Sequence, residues 1–278
     1  MKTTYTLFTI FGIPITVDLS VLILAFILFS NFGYSFFGIV AALILLTSIL
    51  LHELGHSLVG MAFGCKVRDI RLMMLGGCAT MTAMPRKAWQ EILVAFAGPF
   101  VSLLIAGLAF VVGMFAPSVS NPPLAKFIES ALIYTTWLNI VLFIFNMLPA
   151  FPMDGGRILR ATLQQFFTTR LRATWIASRI GRFVAILLAL SVLYSLLSKD
   201  FHGFMIIRLF IAYMIYQTAE LEYQMVRAEE QGPRRNPFAG FPFFHQGRNA
   251  PPDDSQAVVS PPPYQSRGST RVDVHKED

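Results

Sequence analysis

Residues 36–60 read FFGIVAALILLTSILLHELGHSLVG and contain the clearest indication of the fold class. An apolar run of about 20 residues is long enough to cross the roughly 30 Å of bilayer hydrocarbon as a helix. Its only ionisable residues are His52, Glu53 and His56. A charge in a transmembrane helix is expensive without a partner. The stretch therefore predicts a membrane-spanning helix whose polar cluster has a specific use.

The composition of the whole chain agrees with a membrane protein. Of its 278 residues, 55% are hydrophobic and 14% are charged, against about 25% charged in soluble domains. The mean hydropathy is +0.59. This composition excludes a disordered chain, a fibrous repeat and a disulfide-rich secreted domain. The two cysteines, Cys65 and Cys78, provide no disulfide framework.

Six apolar segments predict an all-α membrane fold with six transmembrane helices, at residues 17–33, 36–60, 91–116, 127–148, 179–198 and 203–220. Small β elements are expected on the cytoplasmic side. Residues 5–17 predict a short strand, and residues 67–84 predict a hairpin joined at Gly76-Gly77. Residues 157–175 predict an interfacial helix whose arginines reach the lipid headgroups.

The basic residues predict the orientation of the chain in the membrane. With a cytoplasmic N-terminus, 12 basic residues fall in cytoplasmic segments and only Lys126 and Lys199 in external ones. We therefore expect a multi-pass protein of the cell membrane with both termini cytoplasmic. The net charge of +6 follows from this topology, and no nucleic-acid partner is expected.

The chain is predicted to have two parts. Residues 1–226 form the polytopic core, and residues 227–278 form a proline-rich cytoplasmic tail. The tail has no periodic apolar pattern, so it cannot bury enough surface to offset the entropy of ordering. It is expected to be disordered.

The polar cluster in the second span predicts a metal site. His52 and His56 are four residues apart and share one helical face, so both imidazoles can bind one metal ion. Glu53 lies beside them and can act on a metal-bound water. Zinc accepts imidazole and carboxylate ligands, and three protein ligands leave one position open for water. The alternative is a polar cluster that only forms hydrogen bonds between helices.

A third ligand has three carboxylate candidates near the cytoplasmic half of the core. Asp18 and Glu91 lie at span boundaries, where a solvated carboxylate is the ordinary interpretation. Asp154 follows Pro149 and Pro152, which must break the fourth segment. Non-helical backbone at membrane depth is tolerated only against protein or a wet cavity, so Asp154 is expected beside a polar site. The alternative is an aspartate that merely caps the next helix.

Two motifs together resemble a known family. His-Glu-Leu-Gly-His at residues 52–56, and Asn-x-x-Pro-x-x-Pro-x-Asp-Gly-Gly at residues 146–156, are similar to those of the site-2 protease family. These are intramembrane zinc metalloproteases, peptidase family M50, here in a short form without PDZ or CBS domains. Ala97-Gly98-Pro99 also fits the family pattern, and the resemblance covers about residues 5–220.

The resemblance implies a role for each residue of the motifs. His52, His56 and Asp154 would hold one Zn²⁺ per chain. Glu53 would be the catalytic general base, and later the proton donor to the leaving amine. Asn146 would help to hold the substrate or the oxyanion, as an amide donor can.

The expected function is therefore a hydrolase, a zinc endopeptidase that cleaves transmembrane segments within the bilayer in regulated intramembrane proteolysis. Its expected partners are the lipid bilayer and a single-span membrane protein, such as a membrane-bound regulator of the anti-sigma-factor type. Two alternatives remain: a zinc-binding transporter or channel, and a protein that binds transmembrane helices without cutting. Glu53 argues against both, because neither needs a glutamate that is not a ligand beside two histidines.

Overall fold

The computed structural model describes residues 4–74, 76–81, 87–115, 120–198 and 205–230. Within these ranges the chain forms seven helices and one small sheet. The helices are α1 (Ser20–Asn31), α2 (Phe36–Ala62), α3 (Ala88–Gly113), α4 (Pro122–Asn146), α5 (Asp154–Phe166), α6 (Arg170–Leu197) and α7 (Met205–Glu230). The strands are β1 (Thr4–Ile10), β2 (Ile13–Asp18), β3 (Val67–Met73) and β4 (Gly76–Met81).

Four of the described helices are long and apolar enough to cross a membrane: α2, α3, α4 and α6, each of 25 to 28 residues. The mainly helical membrane fold is thus confirmed in its broad form. α1 is apolar but has only 12 residues, about 18 Å at 1.5 Å per residue. α4, at the fourth predicted segment, ends at Asn146, two residues before the predicted end, and the next helix begins at Asp154. The break predicted from the prolines is therefore confirmed.

The sheet has the strand order β1-β2-β3-β4. The pairs β1–β2 and β3–β4 are antiparallel, and β2 lies parallel to β3. The N-terminal region contains two strands where one was predicted. The chain reverses at Phe11 and Gly12, whose φ angles of 50° and 80° suit a tight hairpin turn.

The predicted hairpin is present as β3 and β4, but its turn lies elsewhere. β3 ends at Met73 and β4 begins at Gly76. Gly76 and Gly77 are therefore not the turn, because they pair with Met73 and Leu72 at the start of β4. In the strand order of the sheet, β4 is an edge strand.

The prediction of one helix over 157–175 is wrong in its bounds, and its placement of Arg160 at the lipid headgroups is wrong as well. Its residues are divided between α5 and α6, and Thr169 caps α6 by accepting a hydrogen bond from the backbone N–H of Arg172. Arg160 is 2% exposed and forms ion pairs with Glu91 and Glu222 instead of reaching headgroups. Glu91 is 4% exposed, so the expectation of a solvated carboxylate at that span boundary is also wrong. Sequence amphipathicity identifies a polar face, but it does not identify what covers it.

The C-terminal part of the chain is described only up to α7. This helix continues past the predicted domain boundary at residue 226 and ends at Glu230. Residues 231–278, most of the predicted tail, lie outside the described residues. The disorder of the tail therefore stays a prediction.

Candidate metal centre

Three side chains from two helices converge on one point. The Nε2 atoms of His52 and His56 are 3.2 Å apart, and each is 3.2 Å from Oδ2 of Asp154. All three residues are buried. Ligands bound tetrahedrally to zinc at about 2.0–2.1 Å are expected to be roughly 3.3 Å apart. The spacing of the donor atoms therefore fits a tetrahedral zinc ion with a fourth position left free.

The hydrogen bonds of the two rings direct both Nε2 lone pairs to this point. His56 Nδ1 lies 2.7 Å from the carbonyl oxygen of Val94. A carbonyl only accepts, so Nδ1 donates and Nε2 is left without a proton in the neutral ring. His52 Nδ1 lies 2.9 Å from Ser102 Oγ, and a hydroxyl can accept as well as donate, so this contact is compatible with a proton on Nδ1 and a free lone pair on Nε2. Two nitrogen lone pairs and a carboxylate facing one another are a donor set for a cation.

Glycines let α2 and α3 lie close together and still leave space for the two imidazole rings. A Cβ atom on Gly98 would lie 2.2 Å from His56 Nε2 and 2.7 Å from His52 Nε2. A Cβ on Gly55 would lie 2.9 Å from the carbonyl oxygen of Ala97. Both glycines therefore keep the helices at the distance that the site requires, as small residues do between membrane helices.

The backbone before α5 places Asp154 against the histidines. The N-cap of α5 is Met153, and Asp154 is the first helical residue, so its carboxylate does not cap the helix. The preceding turn folds back on the start of α5. A Cβ on Gly155 would lie 2.3 Å from the carbonyl oxygen of Leu148, and one on Gly156 would be equally obstructed by backbone atoms. The Gly-Gly pair thus allows the turn that directs Asp154 inward.

The metal-ligand group opens into a cavity of about 630 Å³ that also contains Glu53 and Asn146. Oε2 of Glu53 accepts a hydrogen bond of 3.2 Å from the backbone N–H of Ala79 on β4. A Cβ on Gly77 would lie 2.5 Å from Cγ of Glu53, so the backbone of β4 runs directly against this glutamate. Nδ2 of Asn146 donates to the carbonyl oxygen of Leu142 at 3.0 Å.

All five predicted site residues therefore lie in one place. The two other carboxylate candidates do not. Asp18 accepts a hydrogen bond from the backbone N–H of Ser20 at 2.9 Å, and Glu91 binds Arg160. In the described ranges, His52, His56 and Asp154 are the one group of three potential ligands close enough to share an ion.

Comparison with known proteins identifies the family. The model of peptidase family M50 matches residues 40–129 and 119–188, which together span 149 of the 278 residues. The chain belongs to peptidase family M50. The resemblance found in the sequence is confirmed, and the family together with the apolar helices identifies a multi-pass membrane protein.

Relatives of this M50 chain are found in archaea and cyanobacteria. A zinc metalloprotease of Methanocaldococcus jannaschii is 36% identical over 227 residues, which are 80% of this chain and 61% of that protein. A relative from Synechocystis sp. is 35% identical over 145 residues, 52% of this chain and 37% of its own length. The chain thus spans less than two thirds of either relative. The prediction of a zinc cofactor is confirmed, because the relative from Methanocaldococcus jannaschii is named a zinc metalloprotease and His52, His56 and Asp154 are placed to bind a metal ion.

The M50 fold has also been solved. The structure of a site-2 protease from Methanocaldococcus jannaschii matches with a TM-score of 0.55 and 32% identity, over 79% of this chain and 95% of that chain.

Two residues of this M50 site, Val94 and Ser102, were not predicted from the sequence, and Gly98 was recognised only as part of the family pattern. All three lie on α3 against the histidine rings. One signal was present, because Ser102 is an isolated hydroxyl in an apolar helix and follows Gly98 by one turn. The Val94 carbonyl has no side-chain signal at all.

Proposed function

We propose that this chain is a zinc-dependent endopeptidase that cleaves transmembrane segments of other membrane proteins within the bilayer. The observation that carries the proposal is that a buried three-ligand site, Glu53 and an edge strand line the same cavity. His52, His56 and Asp154 would hold the zinc ion, which would act as a Lewis acid that lowers the pKa of water to about 7 and polarises a peptide carbonyl.

Glu53 is the proton carrier in this proposal. Its carboxylate lies one residue from His52 on α2 and lines the cavity. It takes a proton from the attacking water and returns it to the nitrogen of the leaving amine. Asn146 reaches the same cavity, and its amide has a second N–H besides the one bonded to Leu142. That N–H is suited to the negative charge that develops on the carbonyl oxygen.

The edge strand β4 is the proposed docking site for an extended substrate. The N–H of Ala79 faces Glu53 and not β3. Alternate residues of an antiparallel strand point the same way, so the N–H groups of Gly77 and Met81 also face the cavity. A helical substrate hides its carbonyls in its own hydrogen bonds and must unwind. The unwound segment adds to β4 as a further strand, which brings its carbonyls next to Glu53.

The walls of the cavity support a membrane segment as the substrate. Apolar side chains line it from several elements: Leu24, Leu45, Met74, Met81 and Phe145. Methionine adapts its shape to varied apolar partners. We propose that the partner is a single-span membrane protein, of the kind represented by a membrane-bound regulator such as an anti-sigma factor.

We also propose the full topology. Six spans result when α1 and α7 are added to the four long apolar helices. The N-terminus and C-terminus are then cytoplasmic, in the cell membrane. The support is the distribution of basic residues, 12 on the cytoplasmic side against 2 outside.

The test compares the wild-type chain with Glu53→Gln in liposomes that contain a panel of single-span membrane proteins. The Gln variant should retain zinc and lose cleavage by about 10²- to 10⁴-fold, because only the proton carrier is removed. Glu129→Gln is the matched control. This glutamate lines a separate groove between α3 and α4, so its replacement should change neither zinc content nor cleavage. Persistent cleavage by Glu53→Gln would refute the proposal, and zinc flux without cleavage would favour a transporter.

A further inference from the structure

A buried arginine lies on the helix that carries Asp154. Arg160 is 2% exposed and is the largest fully buried side chain among the described residues. Its guanidinium donates to Glu91 on α3, with Nε at 3.1 Å, and to Glu222 on α7. Burial lowers the pKa of Arg160, but the two carboxylates raise it by more, so the arginine stays charged.

Stability alone is a poor reason to bury such a network. Removing an ion from water costs several kcal/mol, and apolar residues of similar volume often replace buried ion pairs without loss of stability. What the network provides is geometry, because the planar guanidinium bonds its partners only in a fixed fork. Arg160 joins three helices, α3, α5 and α7, with bonds of defined direction.

Arg160 contacts the turn that precedes Asp154 and belongs to the helix that follows it. Arg160 is six residues after Asp154 on α5. Its guanidinium lies 5.3 Å from the ring centre of Phe151, which is three residues before Asp154. Phe151 is 2% exposed and packs with Ala177 and Ala219. One side chain therefore ties the turn before Asp154 to the helix after it.

The other end of the network lies beside the partners of the histidines. Glu91 precedes Val94 by three residues on α3, and the carbonyl of Val94 accepts the hydrogen bond from His56. The same helix carries Gly98, which lies against both rings, and Ser102, whose hydroxyl lies 2.9 Å from His52 Nδ1. The Arg160–Glu91 bond thus connects α5, which carries the aspartate ligand, to the helix that orients both histidine ligands.

We propose that Arg160 is a positioning residue for the metal centre: through Glu91 and Glu222 it holds α5 so that Asp154 lies at bonding distance from the ion that His52 and His56 bind. This proposal rests on one part of the proposed function, the zinc site, and does not require that the chain cleaves peptides. Its consequence is that zinc affinity depends on a side chain that does not touch zinc, and on the two carboxylates, Glu91 and Glu222, that hold it.

The test measures zinc affinity by competition with a chelator, and thermal unfolding of the zinc-free protein in detergent. Arg160→Met keeps a similar volume but removes the bonds. Zinc affinity should fall by about 10-fold, the lower end of the loss of about 10- to 100-fold that follows removal of a direct partner of a metal ligand, because Arg160 acts through the helices. Arg160→Lys keeps the charge without the fork and should restore only part of the affinity.

Arg182→Met is the matched control. Arg182 pairs with Glu220 on α7 at 2.9 Å and lies over the ring of Tyr216, as Arg160 lies over Phe151. Its described contacts do not include α5. The control should lower the unfolding temperature but leave zinc affinity unchanged. Equal zinc affinities of Arg160→Met and wild type, or equal losses in Arg160→Met and Arg182→Met, would overturn the proposal.

A milder variant decides the case if Arg160→Met does not fold. Glu222→Gln leaves the Arg160–Glu91 pair in place and removes only the charge on α7. A measurable fall in zinc affinity supports the proposal, and an unchanged affinity overturns it. Because the readout is metal binding, a wild-type chain that binds zinc but cuts nothing would refute the proposed peptidase and leave this test intact.

Discussion

Replacing Gly98 with alanine tests the geometry of the metal centre directly. The added Cβ would lie 2.2 Å from Nε2 and 2.6 Å from Cε1 of His56, and 2.7 Å from Nε2 of His52. Non-bonded heavy atoms normally stay about 3.5 Å apart. One ring must therefore move by roughly 1 Å, or α2 and α3 must separate. Separation is opposed by the packing of Gly55 against Ala97.

The size of the effect follows from the tolerance of a metal site. Ligand distances hold to about 0.2 Å, so a shift of about 1 Å removes at least one of three ligands. We expect zinc affinity to fall by at least about 1,000-fold, or roughly 4 kcal/mol. Overpacking costs about 1–3 kcal/mol of folding free energy, less than the usual total of about 5–15 kcal/mol, so Gly98→Ala should remain folded.

The assay is chelator competition on purified protein, with Gly107→Ala as the control in the same helix. Nothing lies within 4 Å of a Cβ at Gly107, so this variant should bind zinc normally and gain about 0.5–1 kcal/mol of stability. If Gly98→Ala bound zinc with unchanged affinity, the two rings would not face α3 as described, and the assignment of this site would be refuted.

Two further variants distinguish residues that affect zinc affinity from residues that affect turnover. Ser102→Ala removes the hydroxyl that lies 2.9 Å from His52 Nδ1, so zinc affinity should fall by about 10- to 100-fold in chelator competition. Ser48→Ala replaces a buried serine on α2 that accepts a hydrogen bond from Nδ2 of Asn139. It should have no such effect, and equal losses would contradict the role of Ser102. Gly77→Ala places a Cβ 2.5 Å from Cγ of Glu53. If the Glu53 carboxylate moves by about 1 Å, turnover should fall by roughly 100-fold while zinc content stays unchanged. Loss of zinc as well would contradict a role of Gly77 in placing Glu53.

Local spacing was sufficient to predict that His52 and His56 lie together and that the chain breaks before Asp154. His52 and His56 share a face because four residues make about one turn, and this holds for any helix. Pro149 and Pro152 end α4 because proline lacks the N–H that the helix requires. Each of these inferences needs only neighbouring residues, and the structure places the side chains accordingly.

Pairing between distant residues could not be predicted in the same way. Glu91 and Arg160 are 69 positions apart, and each resembles a solvated residue at the edge of an apolar segment. Their burial depends on how α3, α5 and α7 pack, which no local pattern specifies. The same reason explains the error in the hairpin turn. Two adjacent glycines favour a turn, but pairing of Gly77 with Leu72 and its contact with Glu53 decide otherwise.

The site is specified as much by missing side chains as by ligands. Gly98 leaves space for the two imidazoles, and Gly77 lets a strand backbone reach Glu53. In a bilayer no bulk water fills gaps or repairs unmet hydrogen bonds, so such contacts must be made by backbone at close range. In this chain a Cβ at Gly98 would occupy the space of both imidazoles, so the facing glycine is as necessary to the metal site as the two histidines are.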